Sequence, residues 1–95
     1  MSFTEANVYA TRITNEFKKL LINAALKSNV LIEDLHFNPV TVHSAVVDKI
    51  LNDDYSGIPK TLYYFAKQAQ SNVKKSNEFL RVLESALITF SQKAF

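Results

Sequence analysis

The 95-residue sequence contains no cysteine, one glycine and two prolines. Without cysteine there is no disulfide and no thiolate, which removes thiol–disulfide exchange, thiolate metal sites and cysteine nucleophiles. That usage fits a reducing cytosol. A single glycine cannot build a phosphate-cradling loop. With only two prolines beside it, there is too little turn material for an all-β chain of many hairpins. No serine stands in a G-x-S-x-G elbow. No stretch approaches the roughly 20 apolar residues of a membrane span. The opening MSFTEANVYATR has no apolar run behind a basic head, so no signal peptide is expected. The expectation is one cytoplasmic domain, residues 1–95, with a core of its own.

What the sequence does have is helical periodicity. Ser2 and Glu5 have the spacing of a capping box. Behind them Ala6, Tyr9, Ala10, Ile13, Phe17, Leu20, Leu21 and Ala24 recur at three- and four-residue steps, predicting a helix over 4–27. The segment 28–37 is too apolar for a free loop and is expected to tuck against the core, with one helical turn. Asn38-Pro39 opens a second, short helix, Asn as cap and Pro where no amide is needed. Val42, Ala45, Val46, Lys49 and Ile50 make its inward stripe, and Asn52-Asp53-Asp54 closes it. Gly57 is expected to supply the positive φ of a tight turn. Pro59 suits the start of a third helix, whose face is Ile58, Leu62, Phe65, Ala66, Ala69 and Val73. A polar break over 72–77 follows, with Ser76 as the expected cap of a fourth helix carrying Phe79, Leu80, Leu83, Ala86, Leu87, Phe90 and Ala94. Four amphipathic segments on short connections predict an all-α fold, an antiparallel four-helix bundle with a short second helix.

The search for chemistry finds little. His36 and His43 are the only histidines, and no H-x-x-x-H or E-x-x-H spacing joins them to a metal-ligand set. No metal and no cofactor are expected. His43 lacks the basic and glycine neighbours that would suit phosphotransfer. Asp53-Asp54 and Glu33-Asp34 fall at helix ends, where carboxylates serve turns and dipoles. The expected class is a binding protein, not an enzyme.

The formal net charge of +2 is too small to point to nucleic acid. It is unevenly placed: residues 1–48 carry four basic and five acidic side chains, residues 49–95 seven and four. In the basic half, Lys60, Lys67 and Lys74 follow at seven-residue intervals, predicting one row along the third helix, which Ser71 and Lys75 continue. Tyr63 and Tyr64 stand beside it, and tyrosine recurs at protein interfaces. The expected partner-binding residues are Tyr63, Tyr64, Lys67, Lys74 and Lys75, with Lys93 and Phe95 at the end of the chain. Two other uses of this face stay open. It is a solvated surface whose tyrosines lie along the bundle, or a row of cations leaning on anionic lipid head groups.

Three stretches carry a family resemblance. They are Asn15-Glu16-Phe17-Lys18-Lys19-Leu20-Leu21 with Ala24-Ala25-Leu26; residues 48–55 followed by Ile58-Pro59-Lys60; and Phe79-Leu80-Arg81-Val82-Leu83 with Ser91-Gln92-Lys93-Ala94. Together they resemble bacteriocin immunity proteins of the class IIa and lactococcin A types. The resemblance implies a monomeric cytosolic four-helix bundle. It would bind the complex of a bacteriocin with the mannose phosphotransferase permease and block the leak from the cytosolic side. The resemblance also implies that the C-terminal half selects the bacteriocin. This chain stops at Phe95, whereas many members extend beyond the last helix, which departs from the family's tail-based specificity element. The competing expectation is a non-enzymatic helical adaptor that holds a partner helix in a groove between its own helices.

Overall fold

A computed structural model describes residues 2–70 and 73–94 of the chain, with backbone alone for 73–76 and 94. The first helix, α1, spans Phe3–Lys27. Its start is local chemistry. The Glu5 amide donates to Ser2 Oγ at 3.2 Å, and the Ser2 hydroxyl donates to Glu5 Oε1 at 2.9 Å. The expected box therefore forms, with the carboxylate held by the hydroxyl. Ala6, Ala10, Ile13, Phe17, Leu21, Ala24 and Ala25 are buried along one face. At the other end Asn29 takes φ 58° and the Val30 amide returns to the Ala25 carbonyl at 2.9 Å. That is the left-handed helix stop for which glycine or asparagine is preferred.

The connection 28–38 divides its apolar residues. Val30 is buried, and Leu35 and Phe37 pack partly against the core. The Phe37 ring meets Phe17 edge-on at 6.0 Å between centroids. Leu31 and Ile32, by contrast, stay exposed, so the segment does not tuck in whole. The expected helical turn is a short 3-10 helix, Ile32–Asp34. Beyond it the chain is extended: Leu35 pairs with Gln70 in an antiparallel bridge, and the His36 amide donates to the Ala69 carbonyl at 2.8 Å.

Asn38 caps the second helix, α2, Pro39–Leu51, by accepting from the amides of Val40 and Thr41 at 3.1 and 3.3 Å. Val42, Val46, Val47 and Ile50 are buried, while Ala45 and Lys49 of the expected stripe are half-buried. The left-handed residue that stops α2 is Asp53, at φ 54°, and no glycine has positive φ. The expected role of Gly57 is thereby corrected. Gly57 is instead the first residue of the third helix, α3, Gly57–Ala69. A Cβ there would lie 2.5 Å from Asp54 Oδ2, and its absence lets the Asp54 carboxylate cap the helix.

The third helix is also shorter than its apolar pattern suggests. It ends at Ala69, and the fourth helix, α4, runs Val73–Ala94. Val73 and Lys74 thus belong to α4, and Ser76 lies inside that helix instead of capping it. Ile58, Leu62, Ala66 and Ala69 of α3 are buried, as are Phe79, Leu83 and Leu87 of α4. Successive helices pack against each other and α1 closes the ring against α4. The His43 imidazole lies beside Asn7 while Phe37 lies beside Phe17, so α2 runs back along α1. The start of α3 faces the end of α4. The fold is an antiparallel four-helix bundle with two long helices and two short ones. At about 1.5 Å per residue, α1 is about 37 Å long, nearly the full 42 Å of the molecule.

Candidate partner-binding surface

Because α3 stops at Ala69, the predicted lysine row breaks after its second member. Lys60 and Lys67 share α3 with Tyr63 between them, at three- and four-residue steps that put all three on one face. The Lys67 ammonium sits 4.9 Å from the Tyr63 ring centroid, a cation–π contact. This face forms one wall of a groove of about 480 Å3 between α3 and α4. Pro59, Lys60 and Tyr63 stand on the α3 side, and Glu84, Leu87, Ile88, Ser91 and Gln92 on the α4 side.

Tyr64 does not join it. One residue on, and about 100° around the helix, it lines the α2–α3 side together with Ala45 and Thr61. Its ring packs edge-on against Phe65 at 5.6 Å, and its hydroxyl accepts from Gln68 Nε2 at 2.9 Å. The two tyrosines that adjoin in sequence therefore serve different surfaces. Lys93 is exposed on α4, one residue past Gln92, and is not part of the groove lining. Lys74 and Lys75 belong to the first turn of α4 and their side chains lie outside the described part. Ser71 and Phe95 lie outside the described residues altogether.

The groove contains a residue that periodicity alone passes over. Ile88 is 55% exposed and stands opposite Tyr63. The available signal was its place off the inward stripe of α4. An apolar residue there is either incidental or part of a surface, and the groove makes it part of a surface. The groove has an apolar floor of Pro59, Leu87 and Ile88, a tyrosine ring, one cation on α3, Lys60, and one carboxylate, Glu84, on α4, with Lys67 held against the tyrosine ring beside it. This set can hold an amphipathic helix or apolar side chains and orient them by charge. The Ser91 hydroxyl in the groove lining donates to the Leu87 carbonyl at 2.7 Å.

His43 Nε2 lies 3.3 Å from the Asn7 carbonyl, and His36 is exposed on the extended link. Among the described residues no three histidine, aspartate or glutamate side chains converge as a metal site. Nor is any described helix long and apolar enough to cross a membrane. One carboxyl is clearly perturbed. Asp54 is held below the usual carboxylate range, mainly by the hydrogen bond from Lys49, and further by the lysine's charge and the Gly57 amide.

In comparisons with known proteins, the chain matches no protein-family model, no curated protein and no solved structure.

Proposed function

We propose that this protein acts by contact alone, as a bacteriocin immunity protein whose α3–α4 groove receives an apolar segment of the bacteriocin–mannose permease complex. The single observation that carries a contact role is the exposed Ile88 facing Tyr63 across an apolar groove. Leaving such a surface open to water has no benefit to the isolated chain, since burying it would be favourable by about 25 cal/mol per Å2. Lys60 and Lys67 flank the tyrosine and favour a partner with acidic side chains on the facing side. The identity of the partner is supported by the resemblance of the three stretches described above. The groove also lies in the basic half to which that family assigns bacteriocin selection. In this reading the protein works in the cytoplasm and meets the membrane surface only through its partner.

The test is protection. The chain is expressed in a sensitive strain, and the strain is challenged with a panel of class II bacteriocins. Survival against one or a few of them is the expected result. Killing by the whole panel, with the protein folded and abundant, would remove the reading. A second reading keeps the groove and changes the partner: a helical adaptor that binds an amphipathic helix of a regulatory protein. An apolar groove between antiparallel helices supports it equally. An Ile88→Glu variant that loses binding to such a helix, in a protein that gives no protection, would favour it.

A further inference from the structure

The two walls of the α3–α4 groove carry opposite charges. Lys60 lines it on α3, with Lys67 two turns on along the same face, and Glu84 lines it on α4. All three are exposed. The ion pairs among the described residues are Lys19–Glu16, Lys49–Asp54 and Arg81–Glu78. None of them uses a charge of this groove, and the Lys67 ammonium rests on the Tyr63 ring instead of crossing to Glu84.

The antiparallel course of α3 and α4 fixes which residues are level. Tyr63 stands opposite Ile88. Four residues on from Tyr63 along α3 and four residues back from Ile88 along α4 are the same step of about 6 Å in the same direction. Lys67 is therefore level with Glu84.

A second copy can lay this face on its own under a two-fold axis in two ways. An axis across the helices sets α3 on α3 and α4 on α4, lysine against lysine. An axis along the groove keeps every residue at its height and exchanges the walls, so that α3 of each copy lies over α4 of the other. Lys67 of one copy then meets Glu84 of the other, and Tyr63 covers Ile88, each contact made twice. Like charges facing each other disfavour the first arrangement, and opposite charges favour the second.

We propose that the protein self-associates through this groove into a two-fold dimer whose axis runs along α3 and α4. A foreign helix would have to bring an acid and a base at matching heights, and the chain's own face already has both. Helix α3 is about 20 Å long and packed helices lie about 8–10 Å apart. The face is thus on the order of 400 Å2 per copy, half of the roughly 800 Å2 of a stable complex. The dimer is accordingly weak, with a dissociation constant on the order of 0.1 mM, and it yields to a partner that fills the groove more tightly. It rests, as the proposed function does, on this groove being a contact surface, and it does not rest on the partner named there.

The test is sedimentation equilibrium of the full chain from about 10 μM to about 1 mM, a range that brackets this constant. The average mass should rise from that of one chain toward that of two. Lys67→Glu and Glu84→Lys should each weaken association by about tenfold or more, with helicity unchanged in circular dichroism. An equimolar mixture of these two variants should associate again. In the mixed pair the new carboxylate meets the new ammonium at one contact, and the native pair is kept at the other. Ile88→Glu should abolish the dimer. A wild type that stays monomeric at the highest concentration would overturn the proposal, as would undiminished association in both charge variants or a mixture no better than either alone. Protection of a sensitive strain is read separately. A chain that protects and stays monomeric refutes the dimer alone, and one that dimerises without protecting removes the bacteriocin reading alone.

Discussion

Lys49 and Asp54 are bonded to each other twice, once through the backbone and once through their side chains. The Asp54 amide donates to the Lys49 carbonyl at 2.9 Å, and the Lys49 ammonium lies 3.3 Å from Asp54 Oδ2. The other carboxylate oxygen accepts the Gly57 amide at 3.1 Å. One side chain therefore ties the end of α2 to the start of α3.

Acid should loosen this tie. In the unfolded chain Asp54 titrates near its ordinary value of about 3.9, and in the fold its pKa is lowered, chiefly by the Lys49 hydrogen bond. A lowered native pKa means that the stabilisation is fully present above roughly pH 5. It is lost as the pH falls through 4 toward the native value. Urea midpoints of the wild type and Asp54→Asn should differ at neutral pH and converge as the pH falls below the lowered native pKa of Asp54. A constant difference across that range would show that the carboxylate's charge plays no part.

Gly57→Ala tests the same turn from the other side. A Cβ placed 2.5 Å from Asp54 Oδ2 must displace the carboxylate, with loss of a hydrogen bond contributing about 0.5–1.5 kcal/mol. Against that, alanine restricts the unfolded chain and gains about 0.4–1 kcal/mol. The single variant should be neutral or slightly destabilised. In an Asp54→Ala background the clash is gone, and the same change should stabilise by about 0.4–1 kcal/mol. Additive effects in that double-mutant cycle would contradict the contact.

Asp53 is exposed and sits in the left-handed region at φ 54°, a conformation costing a side-chain-bearing residue about 1–2 kcal/mol. Asp53→Gly should recover part of that and raise the thermal midpoint by a few degrees. An unchanged or lowered midpoint would mean that the aspartate has a compensating bond in this turn.

These turns also show where a sequence is legible and where it is not. Ser2 with Glu5, and Asn38 with Pro39, announce helix starts because a cap is made by neighbours within three residues. The end of α3 is not announced. Ala69 and Val73 continue its apolar steps with no glycine or proline between them, and what stops the helix is remote: Gln70 pairs with Leu35. That bond cannot be inferred from residues 57–77, so the apolar and lysine patterns run on past the point where the helix ends. Tyr63 was readable as a surface residue, but its separation from Tyr64 depends on which helices flank α3. Ile88 needed the same information.

Burial ranks two core changes that periodicity treats alike. Leu83 is fully buried, whereas Phe65 packs against the core only in part. Leu83→Ala should cost about 2–5 kcal/mol. Phe65→Ala should cost less despite the larger side chain removed, because much of the ring already meets solvent and Tyr64. Denaturant midpoints of the two variants decide it, and a greater loss for Phe65 would mean that the edge of the core is tighter than its exposure indicates.

The groove prediction turns on a contrast between adjacent residues. Tyr63→Ala removes the ring that faces Ile88 and supports Lys67, so it should abolish or strongly reduce protection, as should Ile88→Glu. Both side chains are partly or largely exposed, and the helices should persist in far-ultraviolet circular dichroism. Tyr64→Ala removes a ring of similar size on the α2–α3 side and should leave protection intact. A typical interface anchor contributes more than 2 kcal/mol, about thirtyfold in affinity, a gap that a dose–survival series resolves readily. Equal losses for Tyr63 and Tyr64 would put the contact on the shared rim of α3, and loss at Tyr64 alone would move it to the α2–α3 side.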